Sequence, residues 1–230
     1  MTTQKKTQSG SALVYILVAI ALLAALTVSF MEPSGQQTQT QNSTRIVSEL
    51  YNQATQIQSA IQECVLVYPA EDSTLTSTEQ NNSPYPINPA DTHFAAETPA
   101  AQPNLVENIR CPGNPGGANA DHELIFAGSS GKFLPPAPPL FSNWRYYNGA
   151  DGVFFFIETD KTDPYLATAL EKLDEKFAEC EADVIDATGG TVNISSDTIA
   201  DTGVRTCVNG NRCFRVWMIL KTGTGHGDGC

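Results

Sequence analysis

The sequence predicts an α+β fold, in which a long N-terminal helix in two halves packs on a C-terminal antiparallel sheet that carries one additional helix. Three observations support this fold class. Residues 9–31 contain no charged side chain, residues 46–65 repeat apolar residues at helical spacing, and the chain after residue 122 alternates strand patterns with turn residues. About 200 residues follow the apolar run, which is enough for one globular domain with a core.

The apolar run Ser9–Met31 follows a leader that contains Lys5 and Lys6. A helix of about 20 apolar residues can cross the hydrocarbon core of a bilayer, and basic residues before it favour a cytoplasmic N-terminus. The run therefore predicts an inner-membrane anchor, with the rest of the chain on the extracytoplasmic side. No A-x-A site of the kind that ends a secretory signal peptide follows the run.

A second helix is predicted over residues 32–68, ending near Tyr68 and Pro69. Its apolar residues recur at steps of three and four, and glutamines lie on the opposite face. The apolar residues are Ile46, Val47, Leu50, Ala54, Ile57, Ile61, Cys64 and Val65, and the glutamines are Gln53, Gln56, Gln58 and Gln62. This spacing is typical of an amphipathic helix that covers a core on one side.

The N-terminal region resembles that of type IV pilins and type II secretion pseudopilins. The resemblance lies in a short basic leader that ends in Gly10, directly before an apolar run that continues into an amphipathic helix. It implies that residues 1–10 are a cleaved leader, that Gly10 and Ser11 flank the cut, and that residues 11–31 form a transmembrane and assembly helix. The amphipathic helix would then be the second half of the family's N-terminal spine.

The chain departs from the family at two positions of the mature N-terminus. Family members usually begin with an aromatic residue or Met and carry Glu at the fifth position, whereas this chain has Ser11 and Tyr15. In the family, that carboxylate is thought to neutralise a neighbouring subunit's N-terminal amine in the apolar filament core, where an unpaired charge is costly. The resemblance therefore implies a minor subunit, placed where no subunit lies above it.

The resemblance implies a structural function in a type IV pilus-like or pseudopilus filament, with assembly contacts at Ala12, Leu13, Tyr15 and Leu17. The expected partners are other pilin-like subunits, the inner membrane, a prepilin peptidase and an assembly platform. The expected location is the inner membrane with an extracytoplasmic head, and then a periplasmic or cell-surface filament. The alternative, which Tyr15 in place of Glu favours, is an uncleaved, membrane-anchored binding or adhesion module that does not polymerise.

Residues 69–121 open the predicted head, residues 69–230, as a long loop. They are rich in Pro, Asn, Thr, Ala and Gln and contain no periodic run of useful length. In pilin-like proteins the segment after the spine is a variable loop of this kind. The resemblance implies that a disulfide between Cys111 and Cys64 pins it to the end of the spine.

The pattern after residue 121 is one of short strands and turns. Glu123–Gly128 predicts a strand, and Trp144–Tyr147 with Val153–Glu158 predicts a hairpin. Asp163 and Pro164 predict a helix start, because Asp caps helices well and Pro lacks only an N–H that would be unpaired there. The buried stripe of that helix is predicted at Leu166, Leu170, Leu173, Phe177 and Cys180, and a later strand at Thr191–Ser195.

Two further segments are predicted to have a structural role and not to bind a partner. The proline-rich stretch Leu134–Leu140 predicts a stiff polyproline-like surface crossing rather than a ligand for a proline-reading module. The aromatic residues Trp144, Tyr146 and Tyr147 are predicted to face the core, because the neighbouring Phe154–Phe156 needs cover.

The C-terminal strands are predicted to pair as a hairpin, residues 205–207 with residues 213–221 around a three-residue loop. Residues directly opposite on an antiparallel pair lie close enough for a disulfide. This register favours Cys207–Cys213, which leaves Cys180 for Cys230. A competing set, Cys180–Cys207 with Cys213–Cys230, would close the C-terminal tail as a pilin's end loop is closed, and the sequence does not choose between the two.

The chain contains six cysteines, and their even number in an exported chain is typical of structural disulfides. No nucleophile, base or metal-ligand set occurs at a meaningful spacing, so the sequence predicts no enzyme, no catalytic residue and no cofactor. The net charge of −12 disfavours nucleic-acid partners. The resemblance to pseudopilins, some of which bind calcium in their C-terminal loops, makes Ca²⁺ the most plausible ion, and Asp197, Asp201 or Asp228 could donate hard oxygens. No EF-hand pattern is present, and no metal site is predicted. The histidines His93, His122 and His226 have no second ligand at helical or strand spacing.

Overall fold

The structure is a computed structural model that describes residues 10–31, 34–69, 84–86, 104–112, 122–127, 130–149, 152–194 and 206–220. Within the first two helices it describes the side chains of residues 12–27 and 39–67. Contacts divide the chain into two compact units, Met1–Asn42 and Ser43–Cys230. The predicted fold class is confirmed in its general form, since the chain combines helices with an antiparallel sheet.

Helix α1, Gly10–Met31, belongs to the first unit, and helix α2, Ser34–Val67, begins there and ends in the second. Within the described residues, no helix combines the length and the apolar character needed to cross a membrane. The predicted inner-membrane location is therefore wrong.

In the second unit, α2 buries the predicted apolar face. Its side chains from Ile46 to Cys64 that follow the three-and-four spacing are all at most 7% exposed. The helix ends at Val67, as predicted, and the amide of Tyr68 donates to the carbonyl of Cys64. Of the four glutamines predicted opposite this face, Gln62 is exposed, Gln56 and Gln58 are half-buried, and Gln53 is buried.

A five-stranded antiparallel sheet forms the centre of this unit, in the order β1-β2-β3-β7-β4. A separate two-stranded sheet pairs β5 with β6, and helix α3, Pro164–Asp174, lies between β3 and β4 in sequence. The strands are β1 Asn104–Leu105, β2 Arg145–Gly149, β3 Gly152–Thr159, β4 Ala182–Asp186, β5 Val192–Asn193, β6 Thr206–Cys207 and β7 Arg212–Leu220. The predicted β2–β3 hairpin is confirmed, with Tyr146 opposite Phe155.

Two predicted strand assignments are wrong. Of the predicted strand Glu123–Gly128, the described residues 123–127 contribute one isolated bridge, between Leu124 and Arg110, and not a strand. The predicted C-terminal hairpin does not form, because β7 pairs on its two sides with β3 and β4, and β6 pairs instead with β5. A strand has only two hydrogen-bonding edges, so β7 has none left for β6.

Both faces of the central sheet are covered. One face carries Tyr146, Val153, Phe155, Phe214 and Val216 and shares a core with α2 and α3. The other face belongs to a second core with β5 and β6, formed by Tyr147, Phe154, Phe156, Ile185, Ile194, Cys207, Cys213 and Trp217. This burial explains the consecutive phenylalanines of β3 and confirms that Trp144, Tyr146 and Tyr147 face the core.

Helix α3 starts where predicted, with Asp163 at the N-cap and Pro164 at the first turn, although the Asp163 side chain makes no capping hydrogen bond. Leu166, Leu170 and Leu173 are buried, as the stripe predicts. The helix ends at Asp174, so the last two residues of the predicted stripe, Phe177 and Cys180, lie beyond it and are half-buried.

Candidate functional site

The exposed surface of α1 is the largest apolar feature of the described chain. Its large apolar side chains are each between 51% and 72% exposed. They are Leu13, Val14, Tyr15, Ile16, Leu17, Val18, Ile20, Leu22, Leu23 and Leu26. Contiguous exposed apolar surface beyond a few hundred Å² is unusual in a soluble monomer and marks an interaction site.

The predicted assembly residues all lie on this surface. Leu13 and Leu17 are one helical turn apart on one face, whereas Tyr15 lies on the other side of the helix, so contacts at these positions would surround the helix. The hydroxyl of Thr27 donates to the carbonyls of Leu23 and Ala24 at 3.1 and 2.8 Å. This polar side chain is therefore satisfied within α1 and needs no polar partner from outside.

The two predicted processing residues lie at the start of α1. The helix begins at Gly10, and Ser11 is its second residue. The side chain of Ser11 is outside the described part of the structure. Both processing roles stay predictions.

The cysteines of the described chain are bonded. Cys64 at the end of α2 is joined to Cys111, 47 residues later, with a Cα–Cα distance of 5.4 Å. Of the two C-terminal alternatives, the structure has Cys207–Cys213, with a Cα–Cα distance of 5.9 Å. This bond joins the two-stranded sheet to the central one, although β6 and β7 are not paired strands. Cys180 is also disulfide-bonded, and Cys230 lies outside the described residues.

The predicted long loop, residues 69–121, contacts the rest of the head at several described points. It contains β1 and a short 3-10 turn at Val106–Asn108, so part of it has regular structure. The carbonyl of Pro86 accepts hydrogen bonds from the hydroxyl of Tyr146 at 2.7 Å and from the side-chain Nδ2 of Asn148 at 3.1 Å. Burial raises the pKa of Tyr146 well above its ordinary value, which keeps this hydroxyl a donor.

The proline-rich stretch lies along α2 as a surface strap. Gln53 and Gln56 donate from their side-chain amides to the carbonyls of Pro136 and Phe133, at 2.9 and 2.7 Å. Gln53 also accepts from the indole N–H of Trp144 at 2.7 Å, which explains its burial. These side-chain contacts give the strap a structural role that matches the prediction.

A buried ionic cluster behind the central sheet was not predicted. The guanidinium of Arg215 on β7 is 0% exposed, and its Nε and Nη2 donate to one carboxylate oxygen of Asp183 on β4, at 3.1 and 2.8 Å. Trp217 donates its indole N–H to the same oxygen at 2.9 Å, and the guanidinium lies 4.5 Å from the Trp217 ring centroid. Nη1 of Arg215 also donates to the carbonyl of Ile194. The cluster therefore ties β4, β7 and the segment after β5 together.

One sequence signal pointed towards this cluster. Cys213, Arg215 and Trp217 alternate along a strand that is otherwise apolar, so all three had to share one face. The partner Asp183 gave no such signal, because the strand that carries it was not predicted.

Among the described residues, no group of three or more His, Cys, Asp or Glu side chains is placed to hold a metal ion. His122 is buried, while His93 and His226 lie outside the described ranges. So do Asp197, Asp201 and Asp228. A cavity of about 230 Å³ lies beside the Cys64–Cys111 bond. Its charged lining consists of Glu63, Glu123 and Lys132, and Lys132 is already paired with Glu63 at 2.9 Å.

Comparison with protein-family models, with curated proteins and with solved structures gives no match for this chain. The arguments for function therefore come from the residues themselves, and above all from the exposed surface of α1.

Proposed function

We propose that this chain is a minor structural subunit of a type IV pilus-like or pseudopilus filament. It assembles through α1 with the corresponding helices of other pilin-like subunits and displays the disulfide-bonded α+β head at the filament surface. The observation that carries the proposal is the uncharged α1, whose apolar side chains are exposed in the isolated chain. A surface of this kind gains most by packing against similar helices on several sides.

The head supports the same proposal in a different way. Its cores lie on the two faces of the central sheet, and α2 supplies one of the covers. The disulfides stabilise it further, as is typical of domains that work under oxidising conditions. Such a head has a hydrophobic interior of its own, formed by residues of the second unit.

Tyr15 supports a minor rather than a repeating position. It is 72% exposed and supplies no carboxylate for a neighbouring subunit's N-terminal amine. Since an unpaired amine in an apolar core is costly, subunits of this type would not stack repeatedly on one another. The proposed place is an end of the filament, where this pairing is not required.

The assembly proposal predicts that Leu17→Lys removes the chain from filaments. Burying one Leu side chain contributes about 1.5–3 kcal/mol, and the variant also places a charge in the apolar contact. The measurement is the amount of this chain in the pelleted filament fraction, quantified by mass spectrometry. We expect at least a tenfold reduction.

The matched control is Gln41→Lys, which adds the same charge at an exposed position of α2. It should pellet as the unmodified chain does. Equal recovery of Leu17→Lys and the unmodified chain in the filament fraction, or a monomeric unmodified chain under all assembly conditions, would contradict the proposal.

The processing proposal predicts a mature chain that begins at Ser11. A prepilin peptidase would cut after Gly10, and Gly10→Val should abolish the cut because the enzyme recognises the small residue. N-terminal sequencing of the chain from its native host measures the result, with Ser9→Ala as the control that is still cut. An intact Met1, or a cut after Ala25, would show that the leader assignment is wrong.

A further inference from the structure

Strand β4, Ala182–Asp186, is the outer strand of the central sheet, and among the described strands it pairs with β7 alone. Two hydrogen bonds show which of its backbone groups point away from β7. Trp217 donates from its amide to the carbonyl of Glu181 at 2.8 Å, and Ala187 donates to the carbonyl of Asn211 at 3.0 Å. In an antiparallel ladder, hydrogen-bonded pairs recur every second residue. Both bonds therefore place the odd-numbered residues of β4 against β7.

The even-numbered residues Ala182, Val184 and Asp186 consequently direct their N–H and C=O groups to the open edge. Ala182 is buried, Val184 is half-buried and Asp186 is exposed. The accessible part of the edge is thus its second half, with the backbone groups of Val184 and Asp186. The strand contains no Pro, no Lys and no bulge, and of the devices that natural edge strands use against pairing it has charged side chains, those of Asp183 and Asp186.

The exposed charge of this strand is acidic, because the Asp186 side chain is 51% exposed. The segment before the strand exposes both Glu179 and Lys176. The two arginines nearby are turned inward, Arg215 fully buried and Arg212 19% exposed, and each is bonded to a carboxylate of β4 itself. Hydrogen bonds from the Thr188 hydroxyl and amide lower the pKa of Asp186, so this carboxylate stays ionised near neutral pH.

We propose that the open edge of β4 binds an extended, basic segment of a partner protein as an added strand. A Lys or Arg of the partner lies opposite Asp186, and a β-branched residue two positions away lies opposite Val184. Opposite charges and β-branched pairs are favourable when they face each other across neighbouring strands. A second copy of this chain is disfavoured as the occupant, because it would bring the same acidic edge.

The test uses the full chain and the peptide acetyl-Thr-Lys-Thr-Val-Thr-Lys-Thr-amide, with amide hydrogen exchange followed by NMR. Without peptide, the amides of Val184 and Asp186 should exchange faster than those of Asp183 and Ile185, which are bonded to β7. Saturating peptide should slow Val184 and Asp186 at least tenfold and leave the other two unchanged. A control peptide with Glu in place of both Lys residues should bind at least tenfold more weakly.

Two variants at Val184 separate backbone pairing from side-chain contact. Val184→Pro removes the outward N–H without removing a bond to β7, and it should weaken peptide binding at least fivefold. Val184→Thr keeps the N–H and the branched side chain and should bind within twofold of the unmodified chain. If the proline variant does not fold, Asp186→Lys gives a second test, because it should reverse the preference in favour of the Glu peptide.

Three results would overturn the proposal. One is unchanged exchange at Val184 and Asp186 with saturating peptide. Another is equal binding of the Lys and Glu peptides. The third is an equal slowing of hydrogen exchange at Val184 and Asp186 when the protein concentration is raised without peptide. That result would mean that a second copy of the chain binds the β4 edge. Each of these measurements is independent of α1 and of filament assembly.

Discussion

Asp183→Ala will destabilise the head by about 3–5 kcal/mol, because it removes a carboxylate that is bonded to the fully buried guanidinium of Arg215. One oxygen of Asp183 accepts three hydrogen bonds, two from Arg215 and one from Trp217. Arg215 is fully buried on the interior strand β7, so water cannot replace the lost carboxylate without opening the sheet. Urea denaturation, followed by tryptophan fluorescence, measures the change in the free energy of unfolding.

The matched control is Asp160→Ala, which removes an exposed carboxylate paired with Lys161. Exposed pairs contribute about 0–1 kcal/mol, so this variant should be nearly neutral. Replacing both buried charges, with Asp183→Leu and Arg215→Met together, should recover part of the loss because no charge is then buried unpaired. A loss below about 1 kcal/mol for Asp183→Ala would show that the cluster does not hold β4 to β7.

Replacing Cys64 and Cys111 together by Ala will cost about 4 kcal/mol, the larger of the two disulfide effects that can be tested in the described chain. The bond closes a loop over a separation of 47 residues, and in the chain-entropy model its stabilisation grows with loop length. It also holds the segment that carries β1 to the end of α2. Hydrogen exchange in residues 104–112 should therefore accelerate along with the loss of global stability.

The control for this prediction is the double replacement of Cys207 and Cys213 by Ala. That bond spans a separation of only 6 residues, and the same model gives it about 2 kcal/mol. Cys64, Cys207 and Cys213 are buried and Cys111 is half-buried, so the control loses at least as much packing, and a larger cost for Cys64–Cys111 reports its longer loop. If the shorter loop proved as costly as the longer one, the entropic explanation would be wrong for this protein.

Much of the local structure was predictable because its signals lie within a few residues of one another. The apolar spacing of α2 predicted its buried face, and Asp163 with Pro164 predicted the start of α3. The turn residues near Gly149 predicted the β2–β3 hairpin, whose strands are consecutive in the chain. The apolar character of α1 also followed from its composition alone. The proposed assembly residues belong to this helix, and their side chains are exposed.

The sequence did not predict the arrangement of β4, β6 and β7. The residues of β4, with two Asp among five, do not form a strong strand pattern, and β6 has only two residues. The hairpin of β6 and β7 was the natural local prediction, but β3 and β4 occupy both edges of β7. The Cys207–Cys213 bond nevertheless forms, because the two sheets approach each other there across the second core.

The sequence by itself determined the helices, the central hairpin and the apolar surface that the assembly proposal requires, since each depends on neighbouring residues and their periodicity. Only the tertiary structure decided which strands pair with β7, where Arg215 finds Asp183, and which edge of the sheet stays open. These depend on contacts between residues far apart in the chain, such as residues 183 and 215, and no local pattern records such contacts. The proposed strand-binding edge of β4 belongs to this second group.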